Sequence, residues 1–563
     1  MHHHLSLRGK LIIMGSVMAS LFLVALDQTI IATALGRIVE EFNAFDSLSW
    51  IVTAYLLTTT VTVPIAGKLS DLFGRRLLLL IGVAIFALGS LLSGISGSVD
   101  QLIIFRALQG IGGGIITANA FTIVGDLFAA RERGKWQGLI GAVFGMSSVV
   151  GPLLGGWLTQ GHGIFGVTTD WRWTFFINVP IAIVAFIFIA IFCPSLKHDK
   201  RPKVDYKGAA LLTLALATLI LAVDNTETTF AGLMSATGIG LVALRVIMFA
   251  IVAVAIAGFI AVERKAQEPI LPLSFFRNRN FVRIMGIAAL FGSAFMGAIL
   301  YLTQFNQQVY GANPTESGLM LLPMVAGLMT TSIVSGQIIA KTGKYKIFMQ
   351  VGIVVATVMV ALLTTLHPDT PYIQEAIIMV FLGAGLGVVM PVMNLAVQAE
   401  FKQHDLGAAT SSSQLFRGLG TTVGVAVFGA VLTASLTSNI GDMKQNAYIQ
   451  TLKQNPAAAQ MLEDTGDTST LLNLNMHETK QMITDRFEES VKQLPAPVQE
   501  QARQKFETEQ REYADVIVKA FSDSLRSLFI TAAVLMALAA VLVFSLKEKD
   551  LGHGKPDEAP GVA

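Results

Sequence analysis

The chain has 563 residues, 53% of them hydrophobic and 14% charged, with a mean hydropathy of +0.62 and a net charge of +2. A soluble protein of that length would divide into several domains and carry far more charge, so the composition excludes a soluble globular class. Cys193 is the one cysteine, which excludes a disulfide framework and any multi-cysteine metal site.

Apolar stretches fall at about 11–35, 49–67, 77–97, 101–125, 137–160, 174–193, 206–224, 237–262, 281–306, 316–340, 346–366, 372–398, 408–437 and 525–546. Each is long enough to cross a hydrocarbon core about 30 Å thick. They predict an all-α polytopic membrane protein of fourteen spans, arranged as six, two and six. The first stretch reads as a spanning helix rather than a cleavable signal peptide. The corresponding domains are 1–200, 201–270 for the two inserted helices, 271–437, 438–524, 525–548 for the last span and 549–563 for a tail.

Short loops holding Arg75/Arg76, Arg131/Arg133/Lys135, Lys197–Lys207, Arg264–Arg283 and Lys341–Lys346 lie on one side, and Arg37 and Arg172 are the main exceptions opposite. The positive-inside rule then puts both termini in the cytoplasm.

In span 1, Asp27 is a carboxylate inside an apolar helix. Such a group costs roughly 2.5–3.5 kcal/mol on insertion scales and usually faces a cavity. Burial favours its protonated form, as a proton-driven carrier needs. Arg106 in span 4 lies within a turn of the same depth, so the two predict an ion pair that a proton or substrate breaks, or alternatively a permanent structural pair.

Between spans 2 and 3, residues 67–76 read Gly-Lys-Leu-Ser-Asp-Leu-Phe-Gly-Arg-Arg, and 336–346 read Gly-Gln-Ile-Ile-Ala-Lys-Thr-Gly-Lys-Tyr-Lys. Both copies place a second glycine seven residues after the first, then a basic cluster, but Ala340 stands where the first copy has Asp71. Gly67 and Gly74 permit a tight turn and close helix approach. Gly110-Ile-Gly-Gly-Gly and Gly383-Ala-Gly-Leu-Gly are a further echo, each followed by an acid, Asp126 or Glu400. Glu400 is expected at the aqueous interface. Span 5 carries Gly145, Gly151, Pro152, Gly155 and Gly156, small residues for backbone contact and a proline for bending.

Asp224 and Arg245 predict a pair within the inserted helices, and Glu316 opens span 10 either as a helix N-terminal acid or as a contact for a cationic substrate. Asn394 and Gln398 in span 12, with Gln304 and Asn306 in span 9, either line a cavity or bond helix to helix. The insert at 438–524 holds 14 acidic against 9 basic residues. Ile483, Phe487, Val491 and Leu494 recur at helical spacing, as do Val498, Ala502, Phe506, Tyr513 and Ile517, with Pro495-Ala-Pro497 between them. They predict an extracytoplasmic helical hairpin whose second arm continues into the last span.

Leu26–Leu35, Gly67–Arg76, Arg106–Gly114 and Gly145–Gly156 together resemble the major facilitator superfamily, and specifically its fourteen-span drug:proton antiporter branch. The resemblance covers the chain outside 438–524. It implies two six-helix bundles about a central cavity, with two helices inserted between them. It further implies that Asp71 pairs with Arg131 or Arg133 and touches a helix end of the other bundle, latching the outward-facing state together with Gly67, Gly74, Arg75 and Arg76. Span 5 would be the hinge and leak seal.

The function implied is proton-coupled export of lipophilic, cationic compounds through a bacterial plasma membrane. Alternatives are a dedicated exporter of one endogenous lipid, siderophore or metabolite, and a transporter-fold scaffold whose insert binds a partner protein. No phosphate loop of the Gly-x-x-x-x-Gly-Lys-Ser/Thr type supports an ATP-driven pump, and no nucleophile–base or metal-ligand spacing supports an enzyme. No cofactor, metal or nucleic-acid partner is expected; the partners are protons, small lipophilic molecules and the lipid bilayer.

Overall fold

The computed structural model describes residues 6–42, 48–159, 161, 163–164, 167–193, 204–223, 226–440, 446–453, 468–492, 495–549 and 551. The first half comprises α1 Leu7–Phe42, α2 Leu48–Phe73, α3 Arg75–Gly94, α4 Val99–Leu127, α5 Ala130–Thr159, the single turn α6 Trp173–Phe176 and α7 Asn178–Phe192. The inserted segment holds α8 Tyr206–Val223, α9 Thr226–Thr237 and α10 Leu241–Glu263. The second half comprises α11 Arg279–Gln308, α12 Pro314–Met320, α13 Leu322–Thr342, α14 Lys346–Leu362, α15 Tyr372–Glu400 and α16 Leu406–Ile440. Four more helices follow, α17 Ala447–Lys453, α18 Thr468–Asn475, α19 His477–Val491 and α20 Ala496–Ser545.

Among the described residues, fourteen helices have the length and hydropathy of membrane spans, matching the sequence expectation in number and order. Backbone groups in hydrocarbon must be satisfied within the segment, which is why the apolar stretches are helices. Span 6 has a turn at Ile177 between α6 and α7, and the stretch read as span 10 is divided at Leu321 between α12 and α13.

Each half has its own apolar core. One cluster gathers Val17, Leu21, Val24, Phe86, Phe121 and Ile140, and the other gathers Phe291, Phe305, Met349, Leu386, Met393 and Phe428. Met390 on α15 packs against both clusters and so marks the seam between the bundles. Glycines at the α2–α3 and α13–α14 turns give the repeat a conformational meaning: Gly74 has φ 92° and Gly343 has φ 73°, backbone that an L side chain rarely adopts.

The described part of the insert forms a cap on the second bundle. Within it α19 and α20 pair as the hairpin the periodicity predicts, with the Phe487 and Phe506 rings stacked at 4.0 Å and Arg503 ion-paired to Glu488. Leu494 lies outside the described residues. The core of the cap is continuous with that of the bundle, and Asn475 Nδ2 donates to Gln308 Oε1 of α11 at 2.8 Å. α20 runs unbroken for 50 residues, roughly 75 Å, from the cap through the last span.

Arg172, an exception to the charge rule, is held beyond the spans by Glu41. Its Nη2 lies 2.8 Å and its Nη1 3.0 Å from the two carboxylate oxygens, and Trp171 Nε1 donates to the same carboxylate at 2.5 Å. The guanidinium holds the Glu41 carboxyl below its usual range. A depressed folded pKa adds stability above the unfolded pKa and loses it as pH falls through the folded value. In a variant with Trp171 as sole tryptophan, acidification below the ordinary glutamate range is therefore expected to change its fluorescence. Glu41→Gln removes that transition at a stability cost below about 1 kcal/mol, because the pair is partly exposed.

Candidate functional site: a buried ion pair and the seam between the bundles

Asp27 and Arg106 are both fully buried, and Arg106 Nη1 donates to Asp27 Oδ2. Gln109 Nε2 donates to Asp27 Oδ1 at 2.9 Å and Asn178 Nδ2 to the same oxygen at 3.3 Å. Arg106 is itself divided among partners. Its Nη1 reaches Gln109 Oε1 at 2.8 Å, its Nε reaches the Ile51 carbonyl at 3.3 Å, and its guanidinium lies 4.3 Å from the Tyr55 ring centroid. The carboxylate thus ties α1 to α4 and α7, and the arginine ties α4 to α2. Gln109 stands three residues after Arg106, a helical neighbour that spacing alone could have flagged. Asn178 carries no such local signal.

The second centre is the turn at 67–76. Asp71 accepts from Arg75 Nη2 and, across the seam, from the backbone N–H of Gly407 at 3.0 Å and of Ala408 at 2.8 Å. These are orphan donors in the first turn of α16, so the carboxylate caps a helix of the other bundle. The expected partners are corrected here. Arg75, four residues along the same turn, takes the place assigned to Arg131 and Arg133, and its Nε also donates to Asp126 at 2.7 Å. Arg133 turns back to the Phe128 and Gly125 carbonyls at 3.1 and 2.8 Å. The Arg131 guanidinium lies against Gly343. Arg76 donates to the Ala190 carbonyl. Gly67 lets α2 close on α16, since a Cβ there would fall on Ser411.

The third element is α5. Gly151 meets Thr29 of α1, whose Oγ1 donates to the Ser147 carbonyl at 3.0 Å, and a Cβ on Gly145 would come 2.9 Å from Met329 Cγ of α13. Pro152 faces Gly318, where a Cβ would be 3.2 Å away. Gly155 and Gly156 are buried, their carbonyls accepting from Thr159 Oγ1 at 2.8 and 3.2 Å. The glycine stripe runs further than the motif suggested. Gly134 abuts Gly336, and Ser332 Oγ donates to the Gly138 carbonyl at 2.8 Å. A side chain at 138 would land on the Ser332 carbonyl oxygen. Gly138→Val is expected to prise α5 from α13, at about 1–3 kcal/mol or more, and to lose transport. Gly232→Ala, in open space on α9, serves as the unaffected control in the same efflux assay.

Deeper in the seam, Gln398 Nε2 of α15 donates to the Phe121 carbonyl of α4 at 3.0 Å, and Gln137 Nε2 of α5 donates to the same oxygen at 3.0 Å. The bundles therefore meet at the Asp71 end of the molecule and along α5–α13.

The remaining candidates separate. Glu316 forms a capping box with Asn313, its N–H bonded to Asn313 Oδ1 at 2.8 Å and its carboxylate to the Asn313 N–H at 3.0 Å. Asp224 lies outside the described residues, and Arg245 Nε approaches Thr226 Oγ1 at 3.5 Å. Glu400 is expected from sequence to be solvated at the interface; instead its side chain is 2% exposed, 3.0 Å from Lys549 and bonded to Asn278 and Asn280. Asn394 Oδ1 accepts from Gln414 Nε2 at 3.0 Å. Asn306 faces Glu375, a fully buried carboxylate at the start of α15 that sequence reasoning missed, with the amide nitrogen 3.0 and 3.1 Å from its oxygens. Arg417, inside span 13, was missed as well. An ionisable residue within an apolar run was signal enough for both.

The family model of the Major Facilitator Superfamily matches residues 17–425. The chain belongs to the major facilitator superfamily. It is 35% identical over 551 residues, 98% of its own length and 95% of the other's, to a Bacillus subtilis multidrug transporter protein, MdtP. To multidrug resistance protein 3 of the same organism it is 36% identical, covering 77% of this chain and 81% of that one. Solved superfamily structures share its fold. A double-tryptophan mutant of XylE aligns with a TM-score of 0.56 at 15% identity, over 96% of this chain and 97% of that one. The human organic anion transporter MFSD10 aligns at 0.57 and 18%, over 75% and 93%.

Proposed function

We propose that this superfamily member is a proton-coupled antiporter that exports lipophilic, chiefly cationic, compounds by alternating access. The observation that carries the reading is the fully buried Asp27 carboxylate, held by Arg106, Gln109 and Asn178 in the middle of the first bundle. The multidrug names of its relatives favour drug-like cargo. In this reading the basic loops set both termini in the cytoplasm of a bacterial cell, which makes the Asp71 end cytoplasmic and the present conformer outward-facing.

A proton reaching Asp27 cancels the attraction that ties α1 to α4. Thr29, two residues on, rests on Gly151 and bonds to Ser147, so a shift of α1 is felt by α5. α5 carries the glycine stripe against α13, which closes the path from proton site to seam. Asp71 and the start of α16 form the latch that the rearrangement must release. Proteoliposomes with an imposed pH gradient and a panel of cationic dyes test the reading: dye efflux should follow the gradient and reverse with it, and gradient-independent movement would overturn it.

A further inference from the structure

Arg417 stands about a third of the way along α16 without an acidic partner among the described residues. It is eleven residues past Leu406, roughly 16 Å along the helix axis. Its hydrogen bonds run to one atom, Gln414 Oε1, at 2.8 Å from Nη2 and 3.2 Å from Nε.

Its surroundings place it on the seam. Thr410, Gln414 and Arg417 follow one helical stripe of α16, and Met390, Asn394 and Gln398 follow the facing stripe of α15. Met390 packs on both cores, and Gln398 bonds to Phe121 of the other bundle as well as to Thr410 Oγ1 at 3.4 Å. Arg417 is the member of its stripe farthest from the closed end, and it is partly exposed. A Cβ on Gly292 would fall on the Arg417 carbonyl oxygen, so α11 closes on that backbone and fixes the base of the side chain.

The direction of the hydrogen bonds is set by chemistry. Arginine can only donate. Gln414 Oε1 must therefore accept, which leaves Gln414 Nε2 to donate to Asn394 Oδ1 at 3.0 Å. The chain then ends in donors at both sides. Asn394 Nδ2 is buried and has no partner, and Arg417 Nη1 has none among the described residues. A cation gains nothing from such a chain, whereas an oxyanion at its partly exposed end meets Arg417 Nη1 with a charge-assisted bond.

We infer that Arg417, Gln414 and Asn394 form an oxyanion subsite on the transport path, and that it takes the carboxylate of a lipophilic solute. The inference rests on the export reading above and extends the cargo from cations to aryl carboxylates and zwitterions.

The test uses full-length transporter in nanodiscs, with 1-pyrenebutyrate and its uncharged counterpart 1-pyrenebutanol as probes and empty discs as background. Wild type should bind the carboxylate at least about tenfold more tightly than the alcohol, since a charge-assisted pair is discriminating. Arg417→Gln should bring the two within about twofold, and Arg417→Lys, which keeps charge but not the planar fork, should retain part of the preference. Asn394→Leu, which leaves the guanidinium in place, should lose a smaller factor and guards against misfolding of the arginine variant. Displacement of the carboxylate by added phosphatidylglycerol in wild type but not in Arg417→Gln would assign the same oxyanion subsite to a lipid phosphate. No preference in wild type, a preference that survives Arg417→Gln, or equal loss of both probes overturns the inference. Ethidium efflux under a pH gradient, run in parallel, reports on the export reading separately: its failure with an intact Arg417-dependent preference removes export and leaves the subsite.

Discussion

Asp27→Asn is expected to abolish the response of dye efflux to an imposed pH gradient, leaving downhill movement alone. The substitution keeps the shape of the side chain and its bonds to Gln109 and Asn178, but removes the charge that Arg106 meets and the site a proton would occupy. It also leaves a guanidinium buried without its counter-charge, and breaking such a pair from one side costs about 3–5 kcal/mol. Loss of transport could then reflect loss of folding. The double variant Asp27→Leu/Arg106→Met separates the two effects, because replacing both members of a buried pair with apolar groups is often neutral or stabilising by about 1–4 kcal/mol. Its thermal midpoint should recover towards that of wild type while coupling stays absent. Gradient-driven efflux in the double variant would show that the pair is purely structural.

Asp71→Asn is expected to move the resting population away from the conformer described here. Asp71 accepts two backbone N–H groups of α16 and one guanidinium, and hydrogen bonds to a charged group are each worth about 1.5–3 kcal/mol. An asparagine presents one acceptor and turns two donors towards donors. A net loss of about 2–3 kcal/mol shifts a two-state equilibrium by roughly 30- to 150-fold. Spin labels at Phe73 and His404, both exposed at that end, should report a longer distance in the variant. An unchanged distance distribution would remove Asp71 from the gate.

What could be read in advance was what local pattern encodes. Hydropathy gives the spans because every backbone group in lipid must bond within its own helix. Phe487, Val491, Phe506 and Tyr513 give the hairpin because their spacing marks one face of each arm. Asp27 and Arg106 were legible because a charge in an apolar run is itself the anomaly. By that rule Glu375 and Arg417 were equally legible and were passed over. Other features depend on which surfaces meet. The choice of Arg75 over Arg131 or Arg133 is a matter of where α4 and α5 end relative to the α2–α3 turn, although the i, i+4 spacing of Asp71 and Arg75 was a usable hint. Glycines at 134, 138 and 141 look like any small residues until Gly336 is found against the first and Ser332 against the other two. Asn178 reaches Asp27 through the packing of α7 on α1, which no local pattern encodes.

The Phe121 carbonyl, shared between Gln137 and Gln398, bears on how readily the halves separate. When they part, the oxygen surrenders Gln398 but retains Gln137, which belongs to the same bundle and travels with it. Gln398 in turn falls back on Thr410 of its own bundle. Neither side of this contact is stranded in hydrocarbon without a partner, so the crossing bond can break and re-form without the penalty of an orphaned group. A contact with a spare on each side can be cycled repeatedly at little thermal expense.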